Sequence, residues 1–318
     1  MKIKLIDFDS KYPNLALMRI AGYHKASGDS VELVRGPQGV ELFDIPDKYY
    51  LSCVFRWNKQ AAEFTARQLG DTCIVGGTGV DISSKLPIDA ENALPDYSLY
   101  PECDHALGFI SRGCIRKCPW CVVPRKEGNL SRVSTAREIV GDRKRAVFMD
   151  NNFLALPDYE TDLTWLAENK IVIDFNQALD ARLIDDYAAG LLARCRWYPN
   201  IKIALDSTGV ISQVAAAIGN LKKHGVSPAA IRVLCLIGFS GFDDDVERML
   251  KIRDLGAAVF PMGYRDNDTG EEPARGWDIK LYKKYRRLLA RMPHAKTVWS
   301  QFRDEIKTIN HQKESDAK

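Results

Sequence analysis

Short apolar segments alternate with helical segments over residues 105–270, and this alternation restricts the fold more than any other feature of the sequence. Six apolar segments have the length of buried strands: Ala106–Ile110, Ala146–Met149, Ile171–Phe175, Ile201–Leu205, Ile231–Ile237 and Ala257–Pro261. Helical stretches such as Ala181–Ala193, Val210–His224 and Asp243–Leu255 lie between them. The pattern predicts an α/β fold with a (βα)6 partial TIM barrel or, alternatively, an open doubly wound sheet. In both folds, ligands bind at the carboxyl ends of the strands.

A second, shorter alternation opens the chain. Its strand candidates are Lys2–Phe8, Ser30–Val34, Tyr50–Phe55 and Thr72–Val75, and its helix candidates are Pro13–Ala26 and Lys59–Leu69. Such βα alternation predicts a small parallel sheet covered by helices. We therefore expect a domain over 1–85, a proline-containing connection over 86–104, a barrel over 105–270 and a C-terminal helical extension over 271–318.

The cysteine content and the N-terminal residues bear on the cellular compartment of the protein. Charged residues interrupt the first apolar run, which argues against a secretory signal. No apolar run reaches the roughly 18 residues needed to span a bilayer, so no membrane partner is expected. Eight cysteines in a chain of 318 residues without a signal peptide argue against a disulfide scaffold. These observations predict a cytoplasmic protein.

Three cysteines stand close together in the segment that follows the first strand of the second series. Cys114, Cys118 and Cys121 have the spacing C-x3-C-x2-C. Thiolates are soft ligands that suit zinc or iron–sulfur clusters. A structural zinc site normally needs a fourth ligand, which Cys103 or His105 would have to supply, whereas a cubane held by three thiolates leaves one iron open to a cofactor.

The motif C-x3-C-x-aromatic-C, with Trp120 as its aromatic residue, resembles the signature of the radical S-adenosylmethionine (radical SAM) superfamily. This resemblance implies a [4Fe–4S] cluster on Cys114, Cys118 and Cys121, with S-adenosylmethionine chelated to the open iron. It also implies reductive cleavage of that cofactor to a 5′-deoxyadenosyl radical, which abstracts hydrogen from a substrate. A reductant such as flavodoxin or ferredoxin would supply the electron.

The resemblance also suggests cofactor contacts near the ends of the later strands. The candidates are Trp120, Asp150, Asn151, Asn152, Gln177, Asp206, Ser207, Gly238 and Arg265. In the family, positions like those at 150–152 bind the methionine amino group, but the usual Gly-Gly-Glu is absent here. The alternatives are a capping turn at 150–152, plain packing of Trp120, a helix cap at Asp206, a strand-to-helix turn at Gly238 and a surface ion pair at Arg265.

Residues 1–80 resemble the cobalamin-binding, Rossmann-like domain that precedes the barrel in one radical SAM branch. That branch ligates cobalt with a histidine in D-x-H-x-x-G after its first strand, where this chain has Asp7-Phe8-Asp9-Ser10-Lys11. His24 falls within a predicted helix, where we expect a structural role. Cobalamin is therefore not expected.

Basic residues are concentrated in two segments, although the net charge is only +3. Residues 112–145 contain ten Lys or Arg against three Asp or Glu, and 280–296 contain seven basic residues and no acidic ones. Helical periodicity in 281–292 turns the basic residues outward, as a solvated face or as a contact with nucleic acid or another polyanion. The sequence does not identify the substrate. The candidates are an anionic compound, such as a nucleotide, and nucleic acid.

Two further functions remain open alongside hydrogen abstraction. One is a radical SAM methyl- or methylthio-transferase, which the missing cobalt ligand and the lack of cysteines for an auxiliary cluster disfavour. The other is a non-catalytic nucleic-acid-binding protein stabilised by zinc or an iron–sulfur cluster.

Overall fold

The computed structural model describes residues 1–36 and 45–316. The chain forms two compact units: Met1–Gly108 with Val122–Gly128, and Phe109–Cys121 with Asn129–Lys318. Residues 37–44 of the predicted first domain and the last two residues of the predicted extension lie outside the described residues. The prediction of an α/β chain with parallel sheets is confirmed.

The first unit contains a four-stranded parallel sheet in the order β2-β1-β3-β4. The strands of the unit are β1 (Lys2–Asp7), β2 (Ser30–Arg35), β3 (Lys48–Ser52), β4 (Cys73–Gly76) and β5 (Ala106–Gly108). Its helices are α1 (Leu15–Ala26), α2 (Lys59–Leu69), α3 (Ile88–Glu91) and α4 (Val123–Lys126).

Side chains alternate along each strand, so apolar residues of the first sheet point to both of its faces. On one face, Ile3 and Leu5 pack with Leu17 of α1. On the other face, Ile6 and Phe8 belong to a cluster that contains Ala62 of α2. Helices cover both sides, so the unit is a three-layer α/β sandwich.

His24 has the structural role that its position in a helix predicted. Only 3% of its surface is exposed. Its Nδ1 lies 2.7 Å from Asp29 Oδ2, and its Nε2 lies 3.0 Å from the Tyr50 hydroxyl. With both ring nitrogens hydrogen-bonded, His24 links α1 to β3.

The second unit contains two parallel sheets and one antiparallel pair. Its strands are β6 (Ser111–Arg112), β7 (Ser131–Arg132), β8 (Arg145–Phe148), β9 (Val172–Phe175), β10 (Arg196–Trp197), β11 (Ile201–Leu205), β12 (Ile231–Ile237) and β13 (Ala258–Gly263). Strands β8, β9 and β10 are parallel neighbours, as are β11, β12 and β13, whereas β6 pairs antiparallel with β7. A parallel bridge between Leu179 and Ile203 connects the segment after β9 to β11.

Seven helices cover the sheets of the second unit. They are α5 (Ala136–Val140), α6 (Tyr159–Glu168), α7 (Asp186–Arg194), α8 (Ile211–Lys223), α9 (Phe242–Asp254), α10 (Ile279–Arg291) and α11 (Lys296–Asp316). Short 3₁₀ turns occur in the chain at Arg56–Asn58, Gly70–Thr72, Tyr97–Leu99, Phe153–Ala155, Ala181–Leu183, Thr208–Val210 and Pro228–Ala230. Among the described residues, no helix is long and apolar enough to cross a bilayer.

Several strands differ from the predicted pattern, and the strand predicted at Tyr50–Phe55 lies at Lys48–Ser52. The strand expected over Ala106–Ile110 ends at Gly108, and the backbone N–H groups of Ile110 and Ser111 donate instead to the Asp150 carboxylate. Strands β6, β7 and β10 were not predicted, because two residues each are too few to show a period.

Candidate functional site

The cysteine loop, residues 113–121, follows β6 in the second unit. Gly113 has φ +76°, a left-handed conformation that glycine adopts without steric cost, and it starts the loop immediately before Cys114. The Cys121 N–H donates to the Cys118 carbonyl at 3.0 Å, which closes a tight turn around Pro119 and Trp120. The thiols of the loop are therefore presented by a short, locally ordered segment.

The three clustered cysteines are more exposed than four of the other five cysteines. Cys114, Cys118 and Cys121 are half-buried, as is Cys73, whereas Cys53, Cys103, Cys195 and Cys235 are buried. All eight are free thiols. The burial of Cys53, Cys103, Cys195 and Cys235 is typical of free cysteines that pack as small apolar side chains.

Asn152 lies against the first cysteine of the loop. Its Nδ2 is 3.5 Å from Cys114 Sγ and 3.4 Å from Asp180 Oδ2. The residue is only 3% exposed, and its Oδ1 has no hydrogen-bond partner. A buried amide oxygen without a donor is costly, so this atom is suited to accept a hydrogen bond from a bound ligand.

Asp180 holds two cations beside the cysteine loop. Its carboxylate accepts from Arg116 Nε at 3.1 Å and from Arg182 Nε at 2.6 Å. Burial alone would raise the pKa of Asp180, but the hydrogen bonds and charges of Arg182 and Arg116 outweigh burial and lower it. Asp180 and Arg182 were not predicted as site residues, because nothing in a D-x-R segment after a strand distinguishes a site from a helix cap.

The positive charge of Arg182 acts on Cys118. Burial raises the pKa of the Cys118 thiol, and Arg182 partly offsets that rise by favouring the thiolate. Thiolates are the form that binds metals. Arg182 thus lowers the cost of ionising a sulfur in a half-buried loop.

Replacing Arg182 with glutamine should make Cys118 less reactive in the metal-free protein. Without the guanidinium, a smaller fraction of the thiol is ionised, so iodoacetamide should alkylate Cys118 about threefold more slowly or worse near neutral pH. Mass spectrometry of timed samples measures this rate. Arg137→Gln, an exposed substitution on α5, should leave the rate unchanged, and an equal rate in the Arg182→Gln protein would refute the electrostatic role.

Trp120 and Asp206 lie together at the ends of β11 and β12. The Trp120 side chain donates to the Asp206 carboxylate, as does the Leu236 backbone N–H. Burial raises the pKa of Asp206 to about 6, although the Arg248 charge and these hydrogen bonds oppose the rise. A desolvated carboxylate with a raised pKa, next to partly exposed thiols, is typical of a functional site.

Aromatic side chains continue from the cysteine loop to the ends of β12 and β13. The ring of Trp120 meets Phe239 edge-on at 5.5 Å between centroids, and Phe239 meets Tyr264 at 4.9 Å. Asn267 Nδ2 donates to the Trp120 carbonyl at 3.1 Å. These contacts hold Trp120 against the segments that follow β12 and β13.

Asp150 contacts the chain that leads into the loop. Its carboxylate accepts from the Ile110 N–H at 3.1 Å, from the Ser111 N–H at 2.5 Å and from the Ser111 hydroxyl at 2.7 Å. It is 1% exposed, and burial raises its pKa to about 6 against the effect of those hydrogen bonds. Both carboxylate oxygens accept hydrogen bonds from the protein, so Asp150 holds the segment that leads into the cysteine loop.

The remaining predicted residues lie in varied surroundings. Asn151 is half-buried, and Gln177 is exposed in the turn after β9. The Ser207 hydroxyl accepts from the Gly209 N–H and so caps a 3₁₀ turn. Gly238 has φ +84° and donates its N–H to Asp245 at 2.6 Å. The exposed Arg265 pairs with Glu272 at 3.4 Å. The structure thus brings together Cys114, Cys118, Trp120, Asn152 and Asp206.

The donor set of the loop suits a cluster. Among residues 1–36 and 45–316, no group of three His, Cys, Asp or Glu side chains is arranged to hold a single metal ion. The ligands of a cubane bind separate iron atoms and need not converge on one point. Comparisons with protein-family models and with curated proteins found no match.

Proposed function

We propose that this chain is a radical SAM enzyme that binds a [4Fe–4S] cluster through Cys114, Cys118 and Cys121. The observation that carries the proposal is the position of two of these half-buried thiols: Cys114 lies beside Asn152, whose buried oxygen is unpartnered, and Cys118 lies near the desolvated Asp206. When bound, the cluster supplies the electron that cleaves S-adenosylmethionine into methionine and a 5′-deoxyadenosyl radical. A reductant such as flavodoxin or ferredoxin delivers that electron.

The residues around the loop have separate tasks in this proposal. Asn152 Oδ1 accepts a hydrogen bond from the methionine ammonium group, which satisfies an otherwise unpaired buried oxygen. Asp206 accepts hydrogen bonds from ribose hydroxyls while the Trp120 N–H holds its carboxylate in place. Trp120 and Phe239 exclude water from the reacting carbon.

The finer architecture is part of the same proposal. The bridge between Leu179 and Ile203 joins the two parallel sheets of the second unit, which supports a (βα)6 partial barrel. The strand order of the first sheet supports a Rossmann-like domain. Free thiols and an oxygen-sensitive cluster favour a reducing compartment, so we propose the cytoplasm.

The first unit does not fit cobalamin. In the loop after β1, the Asp9 carboxylate accepts from the backbone N–H groups of Val54 at 2.7 Å and Phe55 at 3.0 Å. No histidine stands in that loop, and His24 is fully hydrogen-bonded in the interior. We therefore assign the first unit no corrinoid and no step in the reaction.

The test is the formation of 5′-deoxyadenosine. Anaerobically reconstituted protein, given dithionite and S-adenosylmethionine, should release 5′-deoxyadenosine and methionine in equal amounts. S-adenosylhomocysteine as a coproduct would instead favour the methyl- or methylthio-transferase. A colourless protein that contains one zinc and releases neither product would favour the non-catalytic, nucleic-acid-binding alternative.

A further inference from the structure

The six Lys and Arg residues of α10 separate into two groups. Lys284 pairs with Glu305 at 2.5 Å, and Arg286 pairs with Glu272. The other four are exposed, have no ion-pair partner among the described residues, and are spaced three, four and four residues apart: Lys280, Lys283, Arg287 and Arg291. Residues with this spacing lie on one face of a helix. We call these four residues the basic stripe.

The local field at the basic stripe is positive. Burial lowers the pKa of Arg286, and the charges of Arg265 and Arg287 lower it further, even though Arg286 has an acidic partner. The segment 280–296 contains no acidic residue that could neutralise the stripe from within. At a rise of about 1.5 Å per residue, the stripe extends over roughly 16 Å.

The opposite face of α10 is already used in the core. Tyr282, Tyr285 and Leu289 are buried, and the Tyr285 ring lies 4.5 Å from Phe302 of α11. A helix that binds a bilayer surface needs a free apolar face beside its basic one, and α10 has buried that face. The basic stripe is therefore suited to a polyanion that binds through electrostatic attraction alone.

The first turn of α10 contacts the end of β12, which leads into the segment that touches the cysteine loop. The Tyr282 hydroxyl is 3.5 Å from the Ile237 carbonyl at the end of β12. Two residues further along the chain, Phe239 contacts Trp120 of the cysteine loop, and the Arg275 guanidinium lies 4.9 Å from the Phe239 ring. Half-buried aromatic rings and an exposed guanidinium are groups on which unpaired bases stack.

We propose that the basic stripe binds the sugar–phosphate backbone of a single-stranded nucleic acid. Lys280, Lys283, Arg287 and Arg291 each contact a phosphate, and the strand runs along α10 toward Phe239 and Trp120. This inference goes beyond the proposed reaction, because binding through the stripe requires neither the cluster nor its cofactor.

The test compares two variants of the full-length chain that lose the same charge. The stripe variant carries Lys280→Gln, Lys283→Gln, Arg287→Gln and Arg291→Gln. The control variant carries Lys222→Gln, Lys251→Gln, Arg194→Gln and Arg196→Gln, which are also exposed and also comprise two lysines and two arginines. Glutamine is a good helix former, and circular dichroism checks that both proteins fold.

Fluorescence anisotropy with a labelled single-stranded RNA, and with DNA of the same sequence, measures affinity over a range of salt concentrations. The stripe variant should bind about tenfold more weakly or worse near physiological salt. The slope of log K against log salt concentration should be shallower by about 3 in the stripe variant. Each phosphate contact that is lost removes about 0.7 from that slope for single strands. The control variant should keep most of the wild-type affinity.

Binding of either polymer through the stripe supports the proposal. Equal losses in the stripe and control variants would overturn it, because net charge and not the stripe would then explain binding. The absence of oligonucleotide binding by the wild type would also overturn it, as would binding only to phosphatidylserine vesicles. None of these results depends on 5′-deoxyadenosine formation, so the proposed reaction is tested separately.

Discussion

A Cys118→Ala protein should fold but retain almost no iron after anaerobic reconstitution, against about four iron atoms per chain in the wild type. Removing one of three thiolates leaves two irons without a protein ligand, and two sulfurs do not hold a cubane. Cleavage of S-adenosylmethionine should fall to the background rate. Iron and sulfide analysis, together with the absorbance of the brown protein, measures the loss.

Cys73→Ala is the matched control for this experiment. Cys73 is also half-buried and also a free thiol, but it lies in β4 of the first unit. Its removal should leave iron content and cofactor cleavage at wild-type levels. Full iron loading in the Cys118→Ala protein would remove the basis of the proposed function.

The Asp150→Ala substitution should produce the largest loss of stability that we expect from a single substitution near the site. Alanine leaves the buried N–H groups of Ile110 and Ser111 without an acceptor, and we expect the free energy of unfolding to fall by about 3 kcal/mol near pH 4. Urea unfolding of the metal-free protein under reducing conditions measures it.

The loss caused by Asp150→Ala should shrink as the pH rises. Burial in the folded state raises the pKa of Asp150 from its ordinary value of 3.8 to about 6, so the folded chain binds this proton more tightly than the unfolded chain does. The stability that the protonated carboxyl contributes is complete below the unfolded pKa and is lost as pH rises through about 6. At pH 7 the penalty should therefore be smaller by about 2 kcal/mol.

Asp186→Ala should show the opposite pH dependence. Asp186 is exposed, and hydrogen bonds from Lys223 and His224 lower its pKa. The stability that the ionised Asp186 carboxylate contributes is present above the unfolded pKa and is lost as pH falls through the folded pKa. Asp186→Ala should therefore reduce the free energy of unfolding least in acid. A penalty for Asp150→Ala that grows toward neutral pH would contradict the role of burial at that site.

Sequence periodicity predicted the strands well and their ends less well. The strand at Ile201–Leu205 has its predicted bounds, because a mainly apolar run between the polar residues Asn200 and Asp206 suits a strand of a parallel sheet. The strand expected to reach Ile110 stops at Gly108, because a side chain far along the chain, Asp150, binds the next backbone donors. No local pattern contains that information.

The candidate site was predicted only in part, because some of its residues are close in the sequence and others meet only in the fold. Cys114, Cys118, Cys121 and Trp120 lie within eight residues, so their spacing alone identifies the loop. Asp180 and Arg182 reach this loop through contacts over more than sixty residues of chain, such as that of Arg116 with Asp180. Asp150 was expected to face a cofactor, and its two oxygens instead hold Ile110 and Ser111.

The amino-acid order alone specified the βα alternation, the thiol spacing and the amphipathic pattern of α10, since each is a short-range property of neighbouring residues. Folding then determined which charges are neutralised and which stay free. Glu272 and Glu305 neutralise Arg286 and Lys284, while the other cations of α10 face outward. Those pairings join residues that are distant in the chain, so only three-dimensional packing could distinguish the paired charges from the basic stripe.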